Sequence, residues 1–234
     1  MPSKLPVLGS VFSDYFDFST VSWIKVWEAT KETLYMTSLS VASVFFLGLL
    51  LGLLLYETQK NDSVGALILY KVVAFLVNIF RSIPFIILIV LLIPFTKTLL
   101  GKITGPEAGL PALIFSAAPF YARLVESGFR EVDRGVVEAA ESMGASKWEV
   151  ITKVYIPESL PNIISGITVT AISLVGYTAM AGVIGAGGLG NLAYLEGFQR
   201  SRPAVTLIST VIILIIVFTI QFIGDTGVRK IDKR

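Results

Sequence analysis

The chain has 234 residues, 54% of them hydrophobic and 15% charged, with a mean hydropathy of +0.77, whereas an ordinary soluble domain carries roughly a quarter charged residues. It contains no cysteine and no histidine, which excludes disulfides, thiolate nucleophiles, sulfur metal sites, the commonest general base and the commonest zinc ligand. Nineteen basic residues against seventeen acidic ones leave a net charge of +2, a balance that offers no basic face to a nucleic acid.

The first 33 residues are polar and aromatic and show no cleavable signal sequence. Trp23, Ile24 and Trp27 stand opposite Lys25, Glu28 and Glu32 at helical spacing, which predicts an interfacial segment over 1–33 leading into the first span. A bilayer core requires about 20 apolar residues in a helix, because every backbone polar group must be paired inside the segment. Residues 34–56 and 204–224 meet this without a single charge. Residues 110–125, with Pro111 and Pro119, and residues 160–184 are read as further spans. In the latter, Ser165, Gly166, Ser173, Gly176 and Gly182 are expected to let neighbouring helices approach closely, so that it faces protein.

Residues 64–94 are too long for one straight span and carry Lys71, Arg81 and Pro84. One helix breaking near Pro84 gives five spans in all, and two short spans would give six. The five-span reading is preferred, because 57–63 and 96–107 are polar and turn-forming whereas nothing around Arg81 resembles an exposed hairpin. The expectation is an all-α integral membrane protein with one transmembrane domain over 34–228 and a basic tail over 229–234. Lys60, Arg123, Arg130, Arg134, Lys147, Lys153 and the tail, with Arg229, Lys230, Lys233 and Arg234, outweigh Lys4, Lys25, Lys31, Lys97, Lys102, Arg200 and Arg202 on the other side. By the positive-inside rule the N-terminus lies outside, and the loop after the third span and the C-terminus lie in the cytoplasm. Lys71 is expected to snorkel to the headgroups; Arg81 is costly in hydrocarbon unless paired or near water.

The cytoplasmic loop over 130–157 reads as two short helices. Asp133 is placed to cap the first, Gly144 to end it in a left-handed conformation, and Ser146 with Glu149 to form a capping box for the second. The first helix offers Glu138 beside the small Ala139 and Ala140, with Val136, Val137 and Met143 as apolar neighbours. That composition fits a docking knob for another protein's backbone, or an amphipathic loop packed under its own bundle.

Glu138, Ala139 and Ala140, three residues, Gly144, nine residues, then Val154, Tyr155, Ile156 and Pro157 resemble the EAA loop of bacterial ATP-binding-cassette importer permeases, with Val and Ile replacing Ile and Leu at two branched positions. Two further stretches, 77–95 (VNIFRSIPFIILIVLLIPF) and 175–190 (VGYTAMAGVIGAGGLG), are similar to the methionine importer permeases in particular, and the likeness covers most of 30–225. The resemblance implies the type I importer permease fold, with five spans per subunit and a coupling helix between spans three and four. It implies a homodimer in the bacterial inner membrane that binds two copies of an ABC ATPase and receives methionine from a periplasmic or lipid-anchored binding protein. Coupling to the ATPase would fall on Glu138, Ala139, Ala140, Met143, Gly144, Ala145, Ile156 and Pro157. No catalytic residue, metal or cofactor is expected in this chain, ATP and magnesium being bound by the partner.

Tyr177, Thr178 and Met180 in the small-residue span, together with Arg81, are candidates for the translocation path, Met180 as a flexible constriction. Met180 as core filler and Arg81 as an interfacial cation are the competing readings. Gly185, Gly187 and Gly190 match a dinucleotide fingerprint, but the run follows a membrane span and lacks the strand and ribose-binding acid that the fingerprint needs. A stand-alone transporter or channel for a small amino acid, expected to show intramembrane carboxylates or a duplicated half, is the alternative function. A membrane enzyme would need clustered Asp, His or Lys, which the sequence does not offer.

Overall fold

The computed structural model describes residues 14–61 and 63–231. Lys4 and the rest of 1–13, and Lys233 and Arg234 of the basic tail, lie outside the described residues. Among the described residues every regular element is helical. In chain order a 3-10 turn at Phe18–Thr20 precedes α1 (Trp23–Lys60), α2 (Val64–Ser82), α3 (Phe85–Leu91), α4 (Ile93–Leu100), α5 (Pro106–Arg130), α6 (Arg134–Ser142), α7 (Lys147–Ala186) and α8 (Gly188–Leu192), and a π-helical stretch at Ala193–Gln199 precedes α9 (Pro203–Ile231). Five of them, α1, α2, α5, α7 and α9, are long and apolar enough to cross a bilayer.

The helix α1 runs unbroken for 38 residues, about 57 Å at 1.5 Å per residue, so the predicted interfacial residues continue the first span's helix through residue 33. Trp23, Ile24 and Trp27 are exposed along it. The break near Pro84 is present: α2 ends at Ser82, and Ile83 turns extended (φ −81°, ψ 123°), because a residue preceding proline is forced out of the helical region. The predicted polar loop over 96–107 is corrected, since α4 extends through Leu100 and only 101–105 remain irregular. Pro94 in the first turn of α4 nucleates that helix, and Gly101 ends it at φ 72°.

The second short helix predicted in the 130–157 loop is also corrected: Lys147 begins α7, which continues into the fourth span. A π-turn at Ile151–Tyr155 makes this possible. Pro157 has no N–H for the carbonyl four residues back and its ring crowds it; widening the preceding turn, where the Ile156 N–H bonds to Ile151, relieves both.

The chain comprises two compact units. The first consists of Met1–Leu39, Phe85–Leu113 and Leu174–Phe218. Here Met36, Leu88, Leu113, Leu174 and Leu189 are buried, and Phe85 stacks on Tyr177 at 4.7 Å. The glycine run is held against α1 by two charge-assisted or neutral caps: Gly188 N–H donates to Glu32 Oε2 at 2.6 Å and Leu189 N–H to Thr33 Oγ1 at 2.8 Å. A Cβ at Gly187 would lie 2.6 Å from Glu32 Oε2 and one at Gly190 would run into the Ala179 backbone, so these two glycines serve tight packing, and among the described residues no strand precedes the run as the fingerprint needs. Glu196 accepts from Lys25 at 2.7 Å and from Arg200 at 2.7 Å, and these hydrogen bonds, Lys25 first, hold its carboxyl below the usual carboxylate value.

The second unit consists of Ser40–Pro84, Ile114–Ser173 and Thr219–Arg234. Tyr121, Val125, Phe129, Ile163, Val44 and Leu55 form its buried interior. The helix α5 meets its neighbours through small residues: a Cβ on Gly52 of α1 would meet Val125 Cγ1 at 2.7 Å, and one on Gly166 of α7 would meet Tyr121 Cε2 at 3.4 Å. Within this chain Gly176 has open space where a Cβ would stand. Of the five long helices it is α5, with 61% of its most apolar stretch buried, and not α7, with 44%, that is the most enclosed.

Candidate functional site

Between α5 and α7 the second unit projects the nine-residue α6. Its ends are fixed locally, as the sequence predicts. Asp133 accepts from the Gly135 N–H at 2.6 Å, stabilising the first turn. At the other end Ala145 N–H bonds to the Ala140 carbonyl at 3.1 Å and Gly144 N–H to the Glu141 carbonyl at 3.0 Å, the paired bonds of a Schellman turn. That turn needs a left-handed residue, and Gly144 supplies it at φ 85°. Ser146 and Glu149 form the reciprocal capping box, with Ser146 N–H donating to Glu149 Oε2 at 3.0 Å and Glu149 N–H to Ser146 Oγ at 3.3 Å.

This frame presents a knob. Val137 is buried and anchors α6, whereas Glu138, Ala139 and Gly144 are exposed, Ala140 and Ala145 are half-buried, and Met143 is 83% exposed. The two alanines that meet at the Schellman turn carry no bulk, so a partner's backbone can approach the helix closely. Trp148, 69% exposed on the first turn of α7, adds a large apolar ring beside the knob and was not singled out by the sequence pattern. Ile156 and Pro157, the end of the predicted signature, lie instead on the body of α7, half-buried and exposed respectively.

Behind α6 lies a cleft of about 660 Å³ lined by Tyr56, Gln59, Lys60, Arg130, Arg134, Val137, Glu138, Glu141 and Tyr155. Tyr56 donates to Tyr155 Oη at 3.0 Å, Lys60 Nζ to the same oxygen at 3.2 Å, and Lys60 reaches Glu141 at 3.7 Å. These groups connect α6 to the end of α1 and to α7.

Sequence reasoning missed the most enclosed ion network of this unit. The predicted span ended at residue 125, but α5 continues to Arg130 and places Glu126 inside it, its side chain only 3% exposed. Glu126 is thus a buried carboxylate one residue past the expected boundary. Arg123, Glu126 and Arg130, at i, i+3 and i+7, share one face of α5, and that spacing is the signal by which they are found. The charges are tolerated because they neutralise one another.

The candidate path residues are divided between the units. In the first unit Tyr177 is half-buried on Phe85, Met180 is 49% exposed, and Thr178, expected on the path, is buried with its hydroxyl donated to the Val175 carbonyl at 2.7 Å. In the second unit Arg81 is exposed, its guanidinium 5.9 Å from the centroid of the Phe120 ring. Among the described residues no His, Cys, Asp and Glu group is arranged to hold a metal ion.

Residues 47–234 match the model of the binding-protein-dependent transport system inner membrane component family. The chain belongs to that family. It is 58% identical over 224 residues, covering 96% of this chain and 100% of the relative, to the methionine import system permease protein MetP of Bacillus subtilis strain 168. It is 42% identical over 214 residues, 90% of this chain and 99% of the relative, to the probable D-methionine transport system permease protein MetI of Pasteurella multocida strain Pm70. Among solved structures, a chain of the MetNI methionine ABC transporter in an inward-facing conformation superposes with a TM-score of 0.87 at 42% identity, over 90% of this chain and 98% of that one. This inner membrane transport component therefore carries its exposed α6 on a fold shared with a solved ABC transporter, and the lipid-facing composition of its five long helices has its explanation.

Proposed function

We propose that the chain is the permease subunit of an ATP-driven methionine importer. Two copies would form the translocation path, with two ATPase subunits bound to the α6 knobs and a substrate-binding protein delivering methionine to the opposite face. The observation that carries this reading is α6 itself: a helix capped at both ends, anchored by Val137, with Glu138, Ala139, Met143 and Gly144 turned outward in a member of a transport family. The lysine and arginine distribution supports an N-terminus outside and α6 in the cytoplasm.

Mechanically, closure of the ATPase dimer on ATP displaces a rigid α6. The short connector 131–133 and the Lys60, Tyr56 and Tyr155 contacts pass that displacement to α1, α5 and α7. The helices then exchange between inward and outward arrangements, which the two ligands bias through differential affinity. The small-residue stretch of α7 fits the path wall, with Met180 as an adaptable constriction and Tyr177 braced by Phe85 behind it.

The test is purification of the tagged chain from native membranes in mild detergent, identification of its partners and their stoichiometry, and reconstitution of the complex. An equimolar ATPase and ATP-dependent methionine uptake are expected. A chain that purifies without an ATPase, where a control importer stays intact, and that moves an amino acid without ATP would overturn the reading in favour of a self-sufficient transporter.

A further inference from the structure

The ion network inside α5 does more than neutralise itself. Glu126 Oε2 accepts from Arg123 Nη1 at 2.7 Å and Glu126 Oε1 from Arg130 Nη2 at 2.5 Å. The second Arg123 nitrogen donates to Asn78 Oδ1 at 3.2 Å and to the Ala74 carbonyl at 3.4 Å, both on α2. Arg130 also donates to Gln59 on α1. At the next residue, Glu131 accepts from Asn162 of α7 at 2.8 Å. A single carboxylate thus organises the arginines that tie α5 to α1 and α2, at the point where α5 runs into the connector to α6.

A buried ion pair is seldom retained for stability alone, since apolar residues of like volume usually serve as well. Its particular property is geometric: each carboxylate oxygen is held by one nitrogen of a different guanidinium, and Arg123 turns its second nitrogen to α2, which fixes directions that apolar packing does not. We propose that Glu126 is a positioning residue for energy coupling. By fixing Arg123 and Arg130 it makes α1, α2 and the root of α6 move as one body, so that displacement of α6 reaches the spans instead of being absorbed in the connector. The proposal rests on the importer reading given above.

The test uses the assembled complex in proteoliposomes, with ATP hydrolysis and methionine uptake measured on the same vesicles. Glu126→Gln keeps the shape and removes the charge. It is expected to retain the ATPase and its turnover, while methionine imported per ATP falls roughly tenfold, the scale of a typical coupling between sites. Glu126→Asp, which keeps the charge one methylene shorter, is expected to recover part of that ratio. Arg123→Lys keeps the charge but loses the second guanidinium nitrogen that reaches Asn78 and Ala74, and should lower the ratio with the complex intact; it and Glu126→Asp decide the matter if Glu126→Gln does not assemble. Unchanged uptake per ATP in the assembled variants overturns the coupling role, as does parallel loss of hydrolysis and uptake, which marks a structural residue. Failure of the unaltered complex to import methionine with ATP would count against the importer reading instead.

Discussion

Gly144 offers a perturbation whose size follows from the structure. Its φ of 85° lies in the left-handed region, and nothing stands within 4 Å of a Cβ built there. A side chain therefore meets no clash, and the cost is that of the backbone alone, about 1–2 kcal/mol for an ordinary L-residue. Helix α6 has nine residues, too short to hold itself together in isolation, so the Schellman bonds of Gly144 and Ala145 are a substantial share of what fixes its end. A loss of 1–2 kcal/mol lowers the ratio of formed to unformed turn by roughly 5–30-fold. The expected order of harm is Gly144→Asn, then Gly144→Ala, then Gly144→Val, because Asn visits the left-handed region more readily and a β-branched residue least. The assay is ATPase affinity of the detergent-purified chain, alongside its expression as a membrane control. Equal affinity for Val and Gly would refute the turn as a determinant of docking. Asn as harmful as Val would show that side-chain bulk at the partner's surface, and not φ, sets the effect.

Reversing the charge of the exposed knob with Glu138→Lys is expected to weaken ATPase attachment while leaving membrane insertion intact; retention of the ATPase in a detergent pull-down at unchanged strength would contradict the docking assignment. Met180→Ala should raise leak of methionine in proteoliposomes without ATP and lower coupled uptake, and no change in either would return Met180 to a packing role. Glu196 has a lowered carboxyl value because Lys25 and then Arg200 hydrogen-bond its charged form. Its contribution to stability is therefore present above the ordinary carboxylate value of about 4.3 and is lost as pH falls through the lowered one. Thermal unfolding in detergent followed down from neutral pH should show a drop in this acid window that Glu196→Gln flattens; identical profiles would remove these ion pairs from the stability account.

The features legible in the sequence are those decided by neighbours along the chain. Span placement follows from runs of apolar residues, and the frame of α6 from interactions two to five residues long: Asp133 to Gly135, Ala145 back to Ala140, Ser146 with Glu149. The break before Pro84 is equally local, a matter of one residue's backbone beside a proline ring. The helical content of 96–100 is hidden because its threonines and lysine read as loop, while Pro94 in the preceding turn and the buried Thr96 make it a helix with one covered face.

The tertiary structure alone decided which charges are buried and what holds them. Arg123 meets Asn78 across 45 residues of sequence, and Arg130 meets Gln59 across 71, so no local pattern could pair them. The same holds for Glu32 on Gly188 and for Tyr56 on Tyr155, contacts 156 and 99 residues apart. It also decided that α5 is the enclosed helix and that Gly176 faces open space. In lipid, hydropathy selects the helices because each must pair its own backbone, but lipid is as apolar as the side chains and supplies no preference for how helices pair. That choice falls to close packing at small residues and to the few polar groups that must find one another.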